Sequence, residues 1–353
     1  MRILVTAQWL LDETGSAYLV GLIGVVQLVV QVPVTLWAGT LADRVDRKRL
    51  MSFAHAATAM ALLTLGILNW QDMLTPVLVY TGIAITAATH MLASPARSAL
   101  LPIIIPEREL MLAASTDTAS SNAAAIAGPL IFAIVAVTAN LTAVFILAGS
   151  ISLISSLLPQ FIRAKGVAAG HEHEEGEKPS QIRQTRDGFS FVSKHPILPG
   201  LFLLDAGITT ASFYREILPV LALGLFAGGA SATGFLGAAN SAGAIFGSFI
   251  ALMLVGFRAK GMLVLYASFA YGFFLFGFGT ATTLWFGILM IALLGAADAV
   301  TVAVRLTTVM LTTPDHMRGR SFALMILAAQ TANNVGTIWV GTWAGLIGAS
   351  NTM

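Results

Sequence analysis

The fold is decided by one charged stretch, Gly39-Thr-Leu-Ala-Asp43-Arg44-Val-Asp46-Arg47-Lys48-Arg49, which packs six charges into its last seven residues. Apolar runs flank it, from Tyr18 to Trp37 and from Leu50 to Asn69. Each run is about 20 residues long, which as a helix measures about 30 Å and crosses the core of a bilayer. A short loop with this many Lys and Arg stays on the cytoplasmic side. The stretch therefore predicts two spanning helices joined by a cytoplasmic loop.

Composition extends this prediction to the whole chain. Of 353 residues, 57% are hydrophobic and 10% are charged, whereas soluble domains carry about 25% charged residues. We therefore expect an all-α polytopic membrane protein, since the strand alternation of a barrel is absent. Most Lys and Arg fall in loops, so no nucleic-acid partner is expected. There is no cysteine, no phosphate-cradling Gly-rich loop and no metal-ligand cluster, and we expect neither an enzyme nor a metal or organic cofactor.

Hydropathy predicts a short first helix and ten full spans. They cover Arg2–Leu11 and about 17–39, 50–70, 74–93, 110–137, 141–162, 197–221, 232–255, 262–280, 284–304 and 322–347. Alternate loops hold the basic residues, including a segment from Pro95 to Glu109 and the loop with Arg258 and Lys260. The other loops hold no Lys or Arg. The N-terminal side, the central linker and the basic loops are therefore predicted to be cytoplasmic.

A short repeat divides the chain into two halves. Arg97 precedes Pro106 by nine residues, and Arg305 precedes Pro314 by nine; an acidic residue follows each proline. Both pairs are predicted in the loop after the fourth helix of a half. We expect bundles at residues 1–163 and 196–353, joined by a polar linker at 164–195. We interpret His171 and His173 as part of that solvated linker rather than as a metal tract.

The charged stretch resembles a loop signature of the major facilitator superfamily, Gly-x-x-x-Asp-Arg/Lys-x-Gly-Arg-Arg/Lys, with Asp46 at the second Gly. More narrowly, the chain resembles the enterobactin-exporter-like, drug-efflux-like branch. The matching pieces are Gln8-Trp9-Leu10, Thr14-Gly15-Ser16, Ala42-Asp43-Arg44 with Arg47, Pro95-Ala-Arg97, Gly128-Pro129, Pro314-Asp315 and Arg318-Gly319-Arg320. It departs from that branch in lacking an Arg in helix four and in carrying Ala125 before Gly-Pro.

The resemblance implies two pseudo-symmetric helical bundles with twelve helices. About eleven are predicted here, since the first is partial and the twelfth is missing. A charge at Arg2 near mid-membrane would cost about 2.5–3.5 kcal/mol, so we expect Met1 to be an internal methionine of a longer gene. The alternative is a natural short form whose first helix lies along the membrane interface.

The resemblance also implies a conformational latch between the halves at the cytoplasmic side, formed by carboxylates, arginines and a helix N-terminus. Its candidate residues are Gly39, Asp43, Arg44, Arg47, Lys48, Arg97, Arg305, Asp315, Arg318 and Arg320. The alternative is that these charges only fix the topology.

Intramembrane charges are the candidates for coupling, because a charge inside a membrane is costly. They are Asp117, Asp205, Arg215, Glu216 and Asp298. A desolvated carboxyl group can load and release a proton near neutral pH, which is what a proton-driven antiporter needs. A structural ion pair is the alternative for each residue.

Two further features point to transport. Gly128 and Pro129 predict a kink in helix five, where the family's exporters carry Gly-Pro; an ordinary helix kink is the alternative. Candidate polar groups of the transport cavity are Gln27, Gln31, Asn122, Gln330, Asn333 and Asn334. Hydrogen bonds between helices would explain any one of them equally well.

From this resemblance we expect a monomeric secondary transporter of the bacterial inner membrane that works by alternating access. It would export a small amphipathic molecule, drug-like or siderophore-like, with the proton gradient as its energy source. The alternatives are an importer or uniporter of the same fold, or a membrane protein that transports nothing.

Overall fold

The computed structural model describes residues 1–162, 189–254, 256–257, 259–313 and 315–353. Most of the predicted linker lies outside these residues, together with His171, His173, Arg258 and Pro314. Throughout the described ranges the chain is helical and contains no strand, which confirms the all-α fold class.

Thirteen α-helices follow one another in the part of the chain that the structure describes. They are α1 (Arg2–Thr14), α2 (Ala17–Arg44), α3 (Arg47–Trp70), α4 (Pro76–Ile104), α5 (Leu110–Thr138), α6 (Leu141–Leu157), α7 (Leu198–Ser212), α8 (Leu218–Phe226), α9 (Ala230–Met253), α10 (Lys260–Gly279), α11 (Leu284–Thr312), α12 (Asp315–Ile347) and α13 (Ala349–Thr352). Residues 189–194 form one further helical stretch.

Eight of the described helices are long and apolar enough to cross a membrane, namely α2 to α6 and α9 to α11. The predicted count of ten full spans is therefore not confirmed. Helix α7 has 15 residues and is too short alone. Helix α12 is long enough at 33 residues, but Gln330, Asn333 and Asn334 lower its hydropathy.

Several predicted boundaries were wrong because charged residues continue the helices beyond the apolar runs. Helix α4 continues to Ile104, so most of the segment predicted as a loop from Pro95 is helical. Helix α2 continues to Arg44, and only Val45 and Asp46 join it to α3. The Asp46 carboxylate accepts hydrogen bonds from the backbone N–H groups of the first turn of α3. It thereby acts as an N-cap.

The predicted seventh helix is interrupted. Helix α7 ends at Ser212 and α8 begins at Leu218, and we call residues 213–217 between them the break. Pro219 lies in the first turn of α8. A continuous helix would bring the proline ring against the carbonyl group of Arg215 and would leave that carbonyl without its donor. The break therefore starts a new helix where proline is tolerated.

The connecting loops define two ends of the helical bundle. The basic end carries the α2–α3, α4–α5, α9–α10 and α11–α12 connections, and the opposite end carries the α1–α2, α3–α4, α5–α6, α8–α9 and α10–α11 connections. At the opposite end several helices begin at a polar residue whose side chain accepts a backbone hydrogen bond. Ser16 caps α2, Asn140 caps α6 and Thr283 caps α11.

The halves meet through two pairs of helices, α2 with α12 and α5 with α9. Small residues allow this close approach: a Cβ atom added to Gly341 would lie 2.5 Å from the Cα atom of Gly21. In the second pair, Gly234 and Gly237 of α9 pack against Pro129 of α5. Glycines of this kind let membrane helices pack backbone to backbone.

Apolar packing differs between the two ends. The largest buried cluster contains residues of both halves, including Leu10, Phe132, Leu221 and Leu236. It lies in the half of the bundle nearer the opposite end. Three smaller clusters lie towards the basic end, and the described residues of each one come from a single half. Apolar contact therefore holds the halves together at the opposite end.

Candidate functional site

A polar cavity lies between the halves, and we call it the central cavity. Helices α1 to α4 line it from one side, and the break and α12 line it from the other. Its wall includes the polar residues Thr6, Thr86 and His90, and five side-chain amides, those of Gln27, Gln31, Gln330, Asn333 and Asn334. Five of the six amide residues that were predicted to face a transport cavity therefore lie together. The sixth, Asn122, lies on α5 and does not line this cavity.

Two hydrogen bonds hold the centre of this cavity. The Asn334 side chain donates from Nδ2 to Oε1 of Gln31 over 3.0 Å, and this bond joins α12 to α2 across the halves. The Thr337 hydroxyl donates to Oε2 of Glu216 over 3.0 Å. The Gln27 side chain also hydrogen-bonds to the Glu216 carboxyl group. Residues of both halves therefore meet at one carboxyl group.

Glu216 is buried, with 8% of its surface accessible. Its hydrogen-bond partners are neutral, and the ion pairs found among the described residues do not include it. A buried charge without a counter-ion is strongly unfavourable. The site can relieve this cost by binding a proton or a cationic group.

The remaining wall of the central cavity is largely apolar, with Ile23, Leu62, Ile83 and Phe213 beside the amide groups. Arg2 also lines the cavity, and its Nη1 atom lies 3.4 Å from the carbonyl oxygen of Thr86. The cavity measures about 180 Å³ in this conformation. Pockets for drug-sized ligands measure about 300–1,000 Å³. A ligand of that size therefore requires the halves to move apart.

A second polar cavity of about 190 Å³ lies inside the C-terminal half. It contains two Asp–Arg ion pairs, Asp205 with Arg305 and Asp298 with Arg215, and we call it the charge pocket. Arg215 Nη2 lies 3.3 Å from Asp298 Oδ2, and about half of each side chain faces open space. The other pair is largely buried. Arg305 was predicted to lie in a loop, but it lies within α11.

The remaining residues that were predicted to couple protons or to kink helix five line neither of these two cavities. Asp117 pairs with Arg97 between α5 and α4, and both side chains are exposed. Gly128 and Pro129 lie within the continuous helix α5, where Pro129 packs against Gly234 and Gly237. The Gly-Pro pair therefore lies at a contact between the halves.

The predicted latch residues are only partly described. Lys48 donates from Nζ to the carbonyl oxygen of Ile162 in its own half, over 3.2 Å, and Arg47 is half-buried. Arg97 and Arg305 each pair with an aspartate of their own half. For the remaining members the structure describes the backbone alone; they are Gly39, Asp43, Arg44, Asp315, Arg318 and Arg320.

Sequence reasoning missed several residues of these cavities. Thr337 lies one helical turn after Asn333 and faces the same carboxyl group as the amides, so helical periodicity could have identified it. Tyr214 and Tyr271 line the charge pocket. The Tyr214 hydroxyl group contacts Asn240, and the Tyr271 hydroxyl oxygen lies 3.2 Å from that of Ser212. Nothing in the local sequence indicates these contacts.

Comparison with known proteins gives a matching family and a set of curated relatives. The family described as Major Facilitator Superfamily matches residues 2–337. The enterobactin exporter EntS of Escherichia coli O81 (strain ED1a) is 25% identical over 332 residues, which cover 93% of this chain and 74% of the exporter.

Solved structures of transporters share the fold. The nucleoside transporter NupG superposes with a TM-score of 0.72 at 14% identity, covering 99% of this chain and 92% of NupG. A bacterial homolog to the human lysosomal transporter Spinster, in an inward-facing and unoccupied conformation, gives a TM-score of 0.73 at 14% identity. That match covers 98% of this chain and 79% of the homolog.

Proposed function

The chain belongs to the Major Facilitator Superfamily, and we propose that it exports a small amphipathic molecule across the bacterial inner membrane in exchange for protons. Membership makes it a membrane-embedded transporter of small molecules, as the resemblance of the charged stretch from Gly39 to Arg49 implied. The direction, the substrate class, the coupling ion, the membrane and a monomeric state are the parts that we propose.

The central cavity is the observation that carries this proposal. It lies between the halves, and its wall combines amide groups with apolar side chains. A cavity of this kind suits a molecule with both hydrogen-bonding groups and apolar surface. Transporters built from two repeats bind their substrates at such an interface and rock the halves about it. We propose that residues 1–163 and 196–353 are the two moving bodies.

The unequal packing of the two ends supports alternating access. Apolar contact across the halves is concentrated near the opposite end, while the clusters at the basic end each stay within one half. If the basic end faces the cytoplasm, this conformation is closed to the outside, and the halves move apart at the basic end to admit substrate from the cytoplasm. A transport cycle then requires the Gly21–Gly341 contact to open.

Proton exchange is the energy source that we propose. Glu216 offers a buried carboxyl group inside the central cavity, and the charge pocket offers two more carboxylates beside it. Groups of this kind in a membrane interior are characteristic of proton relays in transporters. We propose no coupling role for Asp117, because its side chain is exposed and paired with Arg97.

Export is favoured over import by the relative EntS, an enterobactin exporter, and by the Gly128-Pro129 pair, which resembles that of exporters. We therefore propose a siderophore-like or drug-like substrate. Import or uniport is the second candidate, because NupG, a nucleoside transporter, shares the fold.

Transport by proteoliposomes tests the proposal, with enterobactin as the probe. We expect saturable counterflow of labelled enterobactin, and accumulation against its gradient when the lumen is made acidic. Asn334→Ala should weaken counterflow about 2- to 13-fold, the equivalent of one hydrogen bond of about 0.5–1.5 kcal/mol. Asn351→Ala is the matched control, because Asn351 is exposed, does not line the central cavity and donates from its side chain to the nearby carbonyl oxygen of Ile347.

Each other outcome has a distinct meaning. An absence of saturable counterflow would contradict the proposed substrate class. Counterflow that does not depend on the pH gradient would favour uniport. Accumulation driven by an alkaline rather than an acidic lumen would favour import.

We also propose that charges at the basic end form the latch when that end closes. Asp43→Asn should then slow transport several-fold without lowering the amount of protein in the membrane. If these charges only fix the topology, the variant will transport normally at equal abundance, and the latch proposal fails.

A further inference from the structure

Two neighbouring residues of the break face two different cavities. Arg215 lines the charge pocket and pairs with Asp298, whereas Glu216 lines the central cavity and bonds to Thr337. Phe213 and Asn333 line both cavities and form the wall between them. One peptide bond therefore joins the two sites. A change in either site acts directly on the backbone that carries the other.

Helix α12 extends this link to the N-terminal half. It packs on the break with no room for a side chain at Gly336, where an added Cβ atom would lie 2.6 Å from Cβ of Phe213. The same helix carries Thr337, bonded to Glu216, and Asn334, bonded to Gln31 of α2. A continuous chain of contacts therefore runs from Asp298 to the other half. Such a chain can carry coupling if it has two arrangements.

We propose that the charge pocket is a proton-binding site separate from the substrate site, and that a proton on Asp298 releases Arg215 and thereby repositions the break. The proton binds to a carboxylate oxygen of Asp298, and no covalent bond breaks. The guanidinium group of Arg215 then loses its counter-ion in the pocket. Glu216, on the next residue, remains a substrate contact in the central cavity. This inference rests on the proposed function and assigns its coupling site.

The surroundings of Asp298 favour a proton over a metal cation. The titratable and charged groups that face this pocket from the packed elements are Asp205 of α7, Tyr214 and Arg215 of the break, Tyr271 of α10, and Arg305 of α11; α12 contributes the neutral Asn333. Two guanidinium groups already neutralise both carboxylates, so a metal ion would meet opposing positive charge. No cluster of three His, Cys, Asp or Glu residues suited to a metal occurs among the described residues.

The test measures distances between spin labels attached to introduced cysteines. The chain has no cysteine of its own that would react with the label, and the measurement needs no substrate. Cysteines replace Phe53 of α3 and Met253 of α9, which are exposed at the basic end in different halves. We expect the distance distribution of the otherwise unchanged chain to shift between pH 5 and pH 9. Asp298→Asn mimics the protonated carboxyl group, so its distribution should match the acidic one at every pH.

Two variants serve as controls. Asp298→Glu keeps a titratable group and should keep the pH response, which separates a proton site from a merely structural role. Asp117→Asn changes an exposed Asp–Arg pair and should respond as the unchanged chain does. A pH response that persists in full in Asp298→Asn would overturn the proposal, as would no response in the unchanged chain.

Sodium is the remaining ion to separate from the proton. Replacing choline chloride by sodium chloride at constant pH should leave the distances unchanged, and a shift would overturn the choice of the proton. Failure of the proposed function is distinguished from these results, because it would appear as absent counterflow with an intact pH response.

Discussion

Two arginines occupy matching places in the two halves, and their surroundings differ. Arg97 of α4 and Arg305 of α11 each precede a proline by nine residues, and each pairs with an aspartate. The Arg97–Asp117 side chains are 55% and 43% exposed, but the Arg305–Asp205 side chains are only 7% and 18% exposed. A surface pair contributes little to stability, whereas a buried charge requires its partner. The same sequence pattern therefore has two physical roles: it forms a surface ion pair in the N-terminal half and a buried ion pair in the C-terminal half.

The same contrast extends to the interiors of the two halves. Among the described buried residues, the charged ones are Glu216 and Arg305, both of the C-terminal half. The N-terminal half buries neutral groups such as Gln8, Gln27 and Thr58. We infer that the buried charges belong to the C-terminal half, whereas both halves line the central cavity.

Removing one buried partner tests this contrast with the largest expected effect. Asp205→Ala leaves Arg305 buried without its counter-ion, and we expect it to lower the free energy of unfolding by about 3–5 kcal/mol. Asp117→Ala should change it by about 0–1 kcal/mol. Denaturant unfolding in detergent measures both. Equal losses would show that the two pairs do not differ as their burial implies.

The contact between the halves gives the next largest effect. Gly341→Leu places a side chain against Gly21 across the halves, and overpacking of this kind costs about 1–3 kcal/mol. We expect the halves to separate at the opposite end, seen as longer distances between spin labels at Met73 and Thr282. Gly272→Leu is the matched control, because nothing lies within 4 Å of a Cβ at Gly272. An unchanged distance in Gly341→Leu would contradict the assignment of the closed end.

The smallest effect belongs to the hydrogen bond between Gln31 and Asn334. A double-mutant cycle of Gln31→Ala and Asn334→Ala should give a coupling energy of about 0.5–1.5 kcal/mol in probe binding. This would show that the halves act together at the cavity. Strictly additive effects would mean that the two amides act independently.

The charged stretch at Gly39 allowed much of the fold to be predicted. Its charges and flanking apolar runs indicated spanning helices, and its signature indicated the family. Helix ends were predicted less well, because apolar runs mark the membrane but not the helix: α4 continues past Arg97 to Ile104.

The break shows what the sequence signalled and what it did not. Pro219 was visible in the sequence, and its effect on Arg215 follows from the geometry of a helix. Yet Pro129 lies within the continuous helix α5, so a proline alone does not decide whether a helix is interrupted.

The charge pairs were harder to foresee. Asp298 and Arg215 are 83 positions apart, and Gln31 and Asn334 are 303 apart. The residue types predicted that these polar groups lie inside the helical bundle. Which of them pair with each other is decided by tertiary packing, which the sequence does not reveal.

Proton movement during transport tests the central claim most directly, namely that charges of the C-terminal half couple protons to substrate. Pyranine trapped in proteoliposomes reports lumenal pH while the transported probe enters. The lumen should become more alkaline in step with uptake in the unchanged chain and in Asp117→Asn, and should stay constant in Asp298→Asn although counterflow continues. Equal alkalinisation in Asp298→Asn, or none in the unchanged chain, would contradict the claim.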